Sequence, residues 1–190
     1  MKINLIILGI IIALSAAWGL YSTQRPPQFS TPLPQNMTET NYTTAPDFTY
    51  TTIEEKTGRL SDHQGKVVLL HFWASWCAPC IVEFPEIIEL AQSQSENLII
   101  LAVSTDDNQS DIQKFLKRLK KKIPANMVII QDGDKSIAQD LYQTIKLPET
   151  YLITPDRKIA KKIVGPQDNW LGDEWREKIV NLGAYKNISE

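Results

Sequence analysis

Residues 66–73, KVVLLHFW, form an almost unbroken apolar run rich in β-branched side chains, and residues 97–103, NLIILAV, form another. Neither run alternates apolar with polar residues, so neither reads as a strand with one wet face. Each reads as a strand buried on both faces. Residues 79–94 between them read as a helix, with Pro85 as its kink. Strands that must be hidden on both sides need a sheet covered by helices on both sides. That requirement restricts the fold more than any other feature of the chain.

The remainder of residues 48–190 extends the pattern. Residues 48–53 and then Arg59-Leu60 read as a short strand pair joined around Gly58. Residues 111–122 place Ile112, Phe115, Leu116 and Leu119 at helical spacing. The other positions of that helix hold Lys114, Lys117, Arg118, Lys120, Lys121 and Lys122, which suit a solvated face or contact with anionic headgroups or an acidic partner. A strand at 127–131, a short helix at 137–142 and strands at 150–154 and 159–164 follow. A last helix begins near Asp168 or Asn169 and stacks Leu171, Trp175, Ile179 and Leu182 on one face. The order β-α-β-α-β-α-β-β-α calls for an α/β fold with a mixed central β-sheet flanked by helices.

The start of the chain is different. Residues 3–21 carry no charge, and as a helix they would extend roughly 28 Å, close to the ~30 Å hydrocarbon core of a bilayer. They lack the polar face of an amphipathic surface helix. The expectation is a retained transmembrane signal-anchor over 1–21, with Lys2 inside and the bulk of the chain exported. A cleaved signal peptide ending at Ser15-Ala16-Ala17 is the alternative. Residues 22–47, punctuated by Pro26, Pro27, Pro32, Pro34 and Pro46 among Thr, Gln and Asn, read as a flexible linker. A net charge of −2 gives no argument for nucleic acid as a partner.

The chain has two cysteines, both in Trp76-Cys77-Ala78-Pro79-Cys80, where the first buried strand gives way to the helix. A helix amino terminus carries unpaired N–H groups and about half a positive charge, so it stabilises a thiolate placed there. Pro79 is tolerated because its missing N–H would be unpaired anyway. Cys77 takes the exposed, activated position, and Cys80, one turn in, is the buried partner that resolves a mixed disulfide. Lowering a thiol pKa from about 8.5 to about 7 takes roughly 2 kcal/mol. The thiolate fraction at pH 7 then rises about fifteenfold while nucleophilicity falls about fivefold, a gain of about three in rate. The same 2 kcal/mol moves a redox potential by roughly 40 mV, so the turn sets poise more than speed. A purely structural disulfide is the rival, but closing so short a loop stabilises by only about 2 kcal/mol.

WCAPC after a buried strand, Pro85 and KLPETYLI at 146–153 resemble the thioredoxin superfamily. The APDF start at Ala45, LSDHQGKVVLLHFWASWCAPC and LPETYLI are similar to its membrane-anchored TlpA/ResA branch, which includes periplasmic reductases of cytochrome c maturation. The resemblance spans about residues 45–175. It implies a thioredoxin-like fold, Cys77 as attacker, Cys80 as resolver, and a cis peptide bond at Pro148 opposite the cysteines. A cis proline exposes a neighbouring backbone that can pair with a substrate strand, whereas an ordinary strand-start proline would not. Glu83 matches the acidic residue that tunes the cysteine pair in ResA-type proteins, against the alternative of a solvated surface glutamate. His71 is a departure, since thioredoxins place an aspartate there. It either delivers a proton to the Cys80 leaving group or packs in the sheet as a satisfied histidine.

The resulting expectation is a thiol–disulfide oxidoreductase on the periplasmic side of the bacterial cytoplasmic membrane. It would reduce protein disulfides, apocytochrome c being the expected substrate, and be recharged by a membrane thiol-transport electron donor. No cofactor beyond the Cys77–Cys80 pair is called for. A protein disulfide oxidase is the nearest rival. A copper-binding module is a further one, but both histidines, His63 and His71, precede the cysteines, and four-ligand zinc fits less well. Thiol peroxidases use a differently placed cysteine, which this chain lacks.

Overall fold

A computed structural model describes residues 43–184. The expected anchor, residues 1–21, and most of the expected linker lie outside the described residues. The elements run β1 (Thr49–Thr51), β2 (Thr57–Arg59), a 3-10 turn (Leu60–His63), β3 (Val67–Trp73), α1 (Ala78–Ser93) and β4 (Leu98–Ser104). They continue with α2 (Gln109–Leu119), β5 (Met127–Gln131), a π-helical turn (Ser136–Leu141), β6 (Glu149–Ile153), β7 (Ile159–Val164) and α3 (Asp173–Ala184). The main sheet has the order β5-β4-β3-β6-β7. β3 is parallel to β4, and β4 to β5, while β6 runs antiparallel to β3 and to β7. β1 and β2 form a separate antiparallel pair.

β3 lies at the centre, and all seven of its residues are buried, as the apolar run requires. The period-two pleat sends them to different cores. Val67, Leu69 and Trp73 pack with Phe84, Ile87 and Ile88 of α1, Ile112 and Phe115 of α2, and Trp175 and Ile179 of α3. Val68, Leu70 and Phe72 pack with Phe48, Leu60, Ile137 and Tyr142 on the opposite face. Helical structure covers both faces, but unequally. The three long helices line one core, and the π-helical turn and the amino-terminal segment line the other.

Several expected boundaries move, each for a local reason. Folded structure begins before Phe48. The Ala45 N–H donates to the Arg157 carbonyl at 2.8 Å, the Tyr142 hydroxyl donates to the Pro46 carbonyl, and Asp47 pairs with Arg59. Gly58 does not join the first strand pair. The turn is at 52–56, where the Thr52 hydroxyl oxygen accepts the N–H groups of Glu54 and Lys56. Gly58 lies opposite Tyr50, and a Cβ there would fall 2.6 Å from the tyrosine oxygen. α2 ends at Leu119 because Lys120 turns left-handed, which leaves Lys121 and Lys122 beyond it. The short helix after β5 is a π-helical turn whose first N–H, that of Ser136, is taken by the Asp134 carboxylate and whose next two, those of Ile137 and Ala138, are taken by the Asp132 carboxylate. α3 starts at Asp173, so Leu171 precedes it and is exposed.

Candidate active site

β3 ends at Trp73 and α1 begins at Ala78, with Cys77 as the helix N-cap residue and Pro79 in the first turn. Cys77 and Cys80 are joined as a disulfide. Cys77 keeps 6% of its surface exposed and Cys80 none, the order expected of an outer and an inner sulfur. Trp76 is 69% exposed beside them. The turn is held from β4. Asp106, itself buried, accepts the Ser75 N–H at 2.8 Å, the Ser75 hydroxyl at 2.7 Å and the Ser104 hydroxyl at 2.6 Å. The Thr105 N–H donates to the Trp73 carbonyl at 2.9 Å. These bonds link strands far apart in sequence, and nothing in the motif announces them.

Across from Cys77 the Leu147–Pro148 peptide bond is cis. A cavity of about 450 Å³ lies between Trp76, Cys77 and Pro79 on one wall and Ile145, Lys146 and Leu147 on the other. Ile145 is 89% exposed, so the groove has an apolar side chain on each rim. The wall is tied to the sheet by Glu149, fully buried immediately after Pro148. Its Oε1 accepts the Thr144 hydroxyl at 3.0 Å and lies 3.0 Å from the Lys162 ammonium.

The inner side of the disulfide contrasts with this groove. Glu83 lies one turn beyond Cys80 on α1 and is 4% exposed, so it is not the solvated surface residue that was the alternative. Its Oε2 accepts the Gln167 backbone N–H at 2.9 Å and the Trp170 indole N–H at 3.0 Å. Glu86 accepts the Trp170 backbone N–H at 3.0 Å, so both carboxylates clamp the segment between β7 and α3 onto α1. Burial pushes the Glu83 carboxyl above its ordinary 4.5. The Gln167 and Trp170 donors pull it back in part, and the charge of Glu86 raises it.

His71 has no exposed surface. It lies between Ala102 of β4 and Thr150 of β6, on the α1 face of the sheet. Its Nδ1 is 2.9 Å from the Thr150 hydroxyl, and its Nε2 is 3.6 Å from Glu83 Oε1. Neither Nε2 nor Oε1 has a hydrogen-bond partner among the described residues. Burial pushes the imidazole down to about 3, so the ring is neutral near pH 7.

Of the residues singled out in the sequence, Trp76, Cys77 and Pro79 line the groove, Pro148 follows its lining residue Leu147, and Cys80, Glu83 and His71 are buried on the inner side. His63 lies elsewhere, with Nε2 2.8 Å from the Tyr50 hydroxyl. Sequence reasoning missed Asp106, Trp170 and Gln167. Only the tryptophan carried a signal, as a large aromatic outside any amphipathic pattern. Among the described residues no three His, Cys, Asp or Glu side chains are placed to share a metal ion.

The model of the AhpC/TSA family matches residues 42–162. The thiol-disulfide oxidoreductase ResA of Bacillus cereus (strain ZK / E33L) is 35% identical over 137 residues, which cover 72% of this chain and 76% of that protein. ResA of Geobacillus thermodenitrificans (strain NG80-2) is 36% identical over 123 residues, 64% of this chain and 68% of that one. Among solved structures, a putative thiol:disulfide interchange protein DsbE from Chlorobium tepidum superposes with a TM-score of 0.63 at 29% identity, covering 75% of this chain and 96% of that one. The buried strand, the CxxC turn and the cis proline thus belong to a chain of the AhpC/TSA family, a thioredoxin-fold thiol-disulfide oxidoreductase of the ResA type.

Proposed function

We propose that the chain is an exported, membrane-tethered reductase of protein disulfides, with Cys77 as the attacking sulfur and Cys80 as the resolving one. The observation that carries this reading is the asymmetry of the disulfide. Cys77 faces the groove at the helix amino terminus, and Cys80 is sealed on the inner side, one turn from Glu83. In the reduced protein the Cys77 thiolate attacks one sulfur of a substrate disulfide, and the other sulfur leaves as a thiolate. Cys80 then loses its proton and attacks Cys77, which closes the internal disulfide and releases the second substrate sulfur. Two electrons pass from the protein to the substrate.

The groove favours an extended segment. The backbone before Pro148 offers pairing groups to a strand, and Trp76 and Ile145 offer apolar contact to its side chains. An apocytochrome c segment carrying the CxxCH haem site fits this chemistry. Residues 1–21 hold the domain at the periplasmic face of the bacterial membrane, where a membrane thiol transporter returns the electrons. A copper site on the cysteine pair has little support, because His63 is bonded to Tyr50 and His71 is buried against Thr150.

A Cys80→Ala variant tests the assignment, since it freezes the mixed disulfide on Cys77. It should capture partner proteins that the Cys77→Ala, Cys80→Ala double variant does not, and a trap that stays empty while the unaltered protein is active refutes it. The measured potential tests direction. A value well below about −200 mV agrees with a reductase, and one near −120 mV makes the protein an oxidase.

A further inference from the structure

Two buried polar atoms, His71 Nε2 and Glu83 Oε1, face each other at 3.6 Å without another partner among the described residues. Leaving a buried polar atom unpaired is costly, and two facing each other need a reason. The reason lies in how many protons the pair holds. With one titratable proton on the pair, a carboxylic acid faces a bare Nε2, or an imidazolium faces a carboxylate, and both arrangements are neutral overall. With that proton gone, the remaining imidazole proton sits on Nε2, facing the carboxylate. The Thr150 hydroxyl at Nδ1 serves every state, because it accepts from Nδ1–H and donates to a bare Nδ1.

We propose that His71 and Glu83 act as one dyad, with His71 as the positioning residue that sets how readily Glu83 takes a proton from Cys80 and returns it. The inference rests on the reading of Cys80 as the resolving sulfur. Before resolution Cys80 is a thiol and the dyad is anionic. The proton then moves from Cys80 Sγ to the dyad, the thiolate attacks Cys77 Sγ, and the substrate sulfur leaves as a thiolate. When a donor thiolate later attacks Cys77, the Cys80 sulfur leaves and takes the proton back. One proton shuttles, and no other acid or base is consumed.

The surroundings isolate this exchange. On α1 the titratable groups nearby are Cys77, Cys80, Glu83 and Glu86, and Glu86 is occupied by the Trp170 backbone N–H. β4 presents Ala102 and β6 presents Thr150. Between β7 and α3, Asp168 is exposed, and Gln167 and Trp170 only donate to Glu83. Lys161 of β7 and Lys178 of α3 lie over the far ring, Trp175, at 5.3 Å and 5.0 Å.

The test uses the full chain, reduced, with ¹³C-labelled glutamate and ¹⁵N-labelled histidine, followed by NMR from pH 4 to 9. The expected result is that the His71 ring nitrogens and the Glu83 carboxyl carbon change with one common midpoint, and that the His71 change disappears in Glu83→Gln. A histidine that only fills space stays silent, and silence of its nitrogens across the range overturns the dyad. In parallel, the rate at which Cys80 resolves a preformed mixed disulfide is measured against pH. His71→Asn should displace the acid limb of that profile by about one pH unit, a tenfold loss of proton affinity. A profile within twofold of the unaltered protein between pH 6 and 8 also overturns the proposal. Should His71→Asn fail to fold, the titration of the labelled unaltered chain decides alone. A protein that reduces disulfides but lacks the common midpoint loses the dyad and keeps the reductase. One that shows the midpoint but reduces no protein disulfide does the reverse.

Discussion

Replacing Trp170 with phenylalanine removes one hydrogen-bond donor from Glu83 and leaves most of the apolar ring in place. Trp170 has no exposed surface, stacks on Trp175 at 4.7 Å, and gives its indole N–H to Glu83 Oε2 at 3.0 Å. The lost ring area costs about 1–2 kcal/mol at any pH. The lost bond depends on charge. A bond to an ionised group is worth about 1.5–3 kcal/mol and one to a neutral group about 1 kcal/mol, so ionised Glu83 loses about 1 kcal/mol more than neutral Glu83. That difference raises the carboxyl midpoint further, on top of the rise that burial already imposes. A carboxyl with a raised folded-state midpoint contributes stability that is fully present below its unfolded midpoint. That contribution is lost as pH rises through the folded one. Trp170→Phe should therefore cost about 1 kcal/mol more at pH 8 than at pH 4. Urea unfolding of both proteins across pH 4 to 9, with equal m values, measures this. A cost that is the same at both ends, or larger at pH 4, would falsify the claim that the indole stabilises a carboxylate.

Two further outcomes follow from buried groups. Asp106→Ala strips Ser75 and Ser104 of their acceptor and should lower unfolding stability by about 2–4 kcal/mol. It should also raise the alkylation rate of reduced Cys77 as the turn loosens, and a variant with unchanged alkylation would show that the turn holds itself. The buried, neutral His71 makes the fold acid-sensitive. A histidine with a depressed folded-state pKa contributes stability that is present above its unfolded value near 6.5 and lost as pH falls toward about 3. The loss approaches 1.4 kcal/mol per pH unit. His71→Leu should flatten the wild-type decline between pH 6 and 4, as measured by urea midpoints, and parallel declines would remove His71 as the cause.

The sheet and the cysteine turn were legible because their signals are local. Seven successive buried positions in β3 require an apolar run, and a helix amino terminus explains why two cysteines and a proline share one turn. The cis peptide bond at Pro148 came from a resemblance, since no local rule distinguishes it from a strand-start proline. What escaped was set by partners distant in sequence. Asp106 reads as one more polar residue after a strand until Ser75, 31 residues away, is seen to bond to it. Glu83 keeps a surface residue as its alternative reading until a segment 84 residues later closes over it. Gly58 was misplaced because a glycine between strands suggests a turn. Here the missing side chain makes room for the Tyr50 ring instead.

The Cα atoms of the two cysteines lie 5.3 Å apart, yet their sulfurs meet different physics. Cys77 is served by the aligned N–H groups of α1, a fixed source of partial positive charge that does not titrate, so its effect persists across pH. Cys80 is one turn inside the helix, past the range where that field is strongest, and burial alone would make its thiolate costly. A buried thiol that must ionise to do its work needs a base that is also buried, and a lone carboxylate in that position would itself be disfavoured. An imidazole facing the carboxyl reduces that penalty, because the pair can stay neutral while holding a proton. On this reading the outer sulfur sets the redox poise through the backbone and the inner one sets the pH response through side chains. Substitutions on the two sides should then separate the two properties.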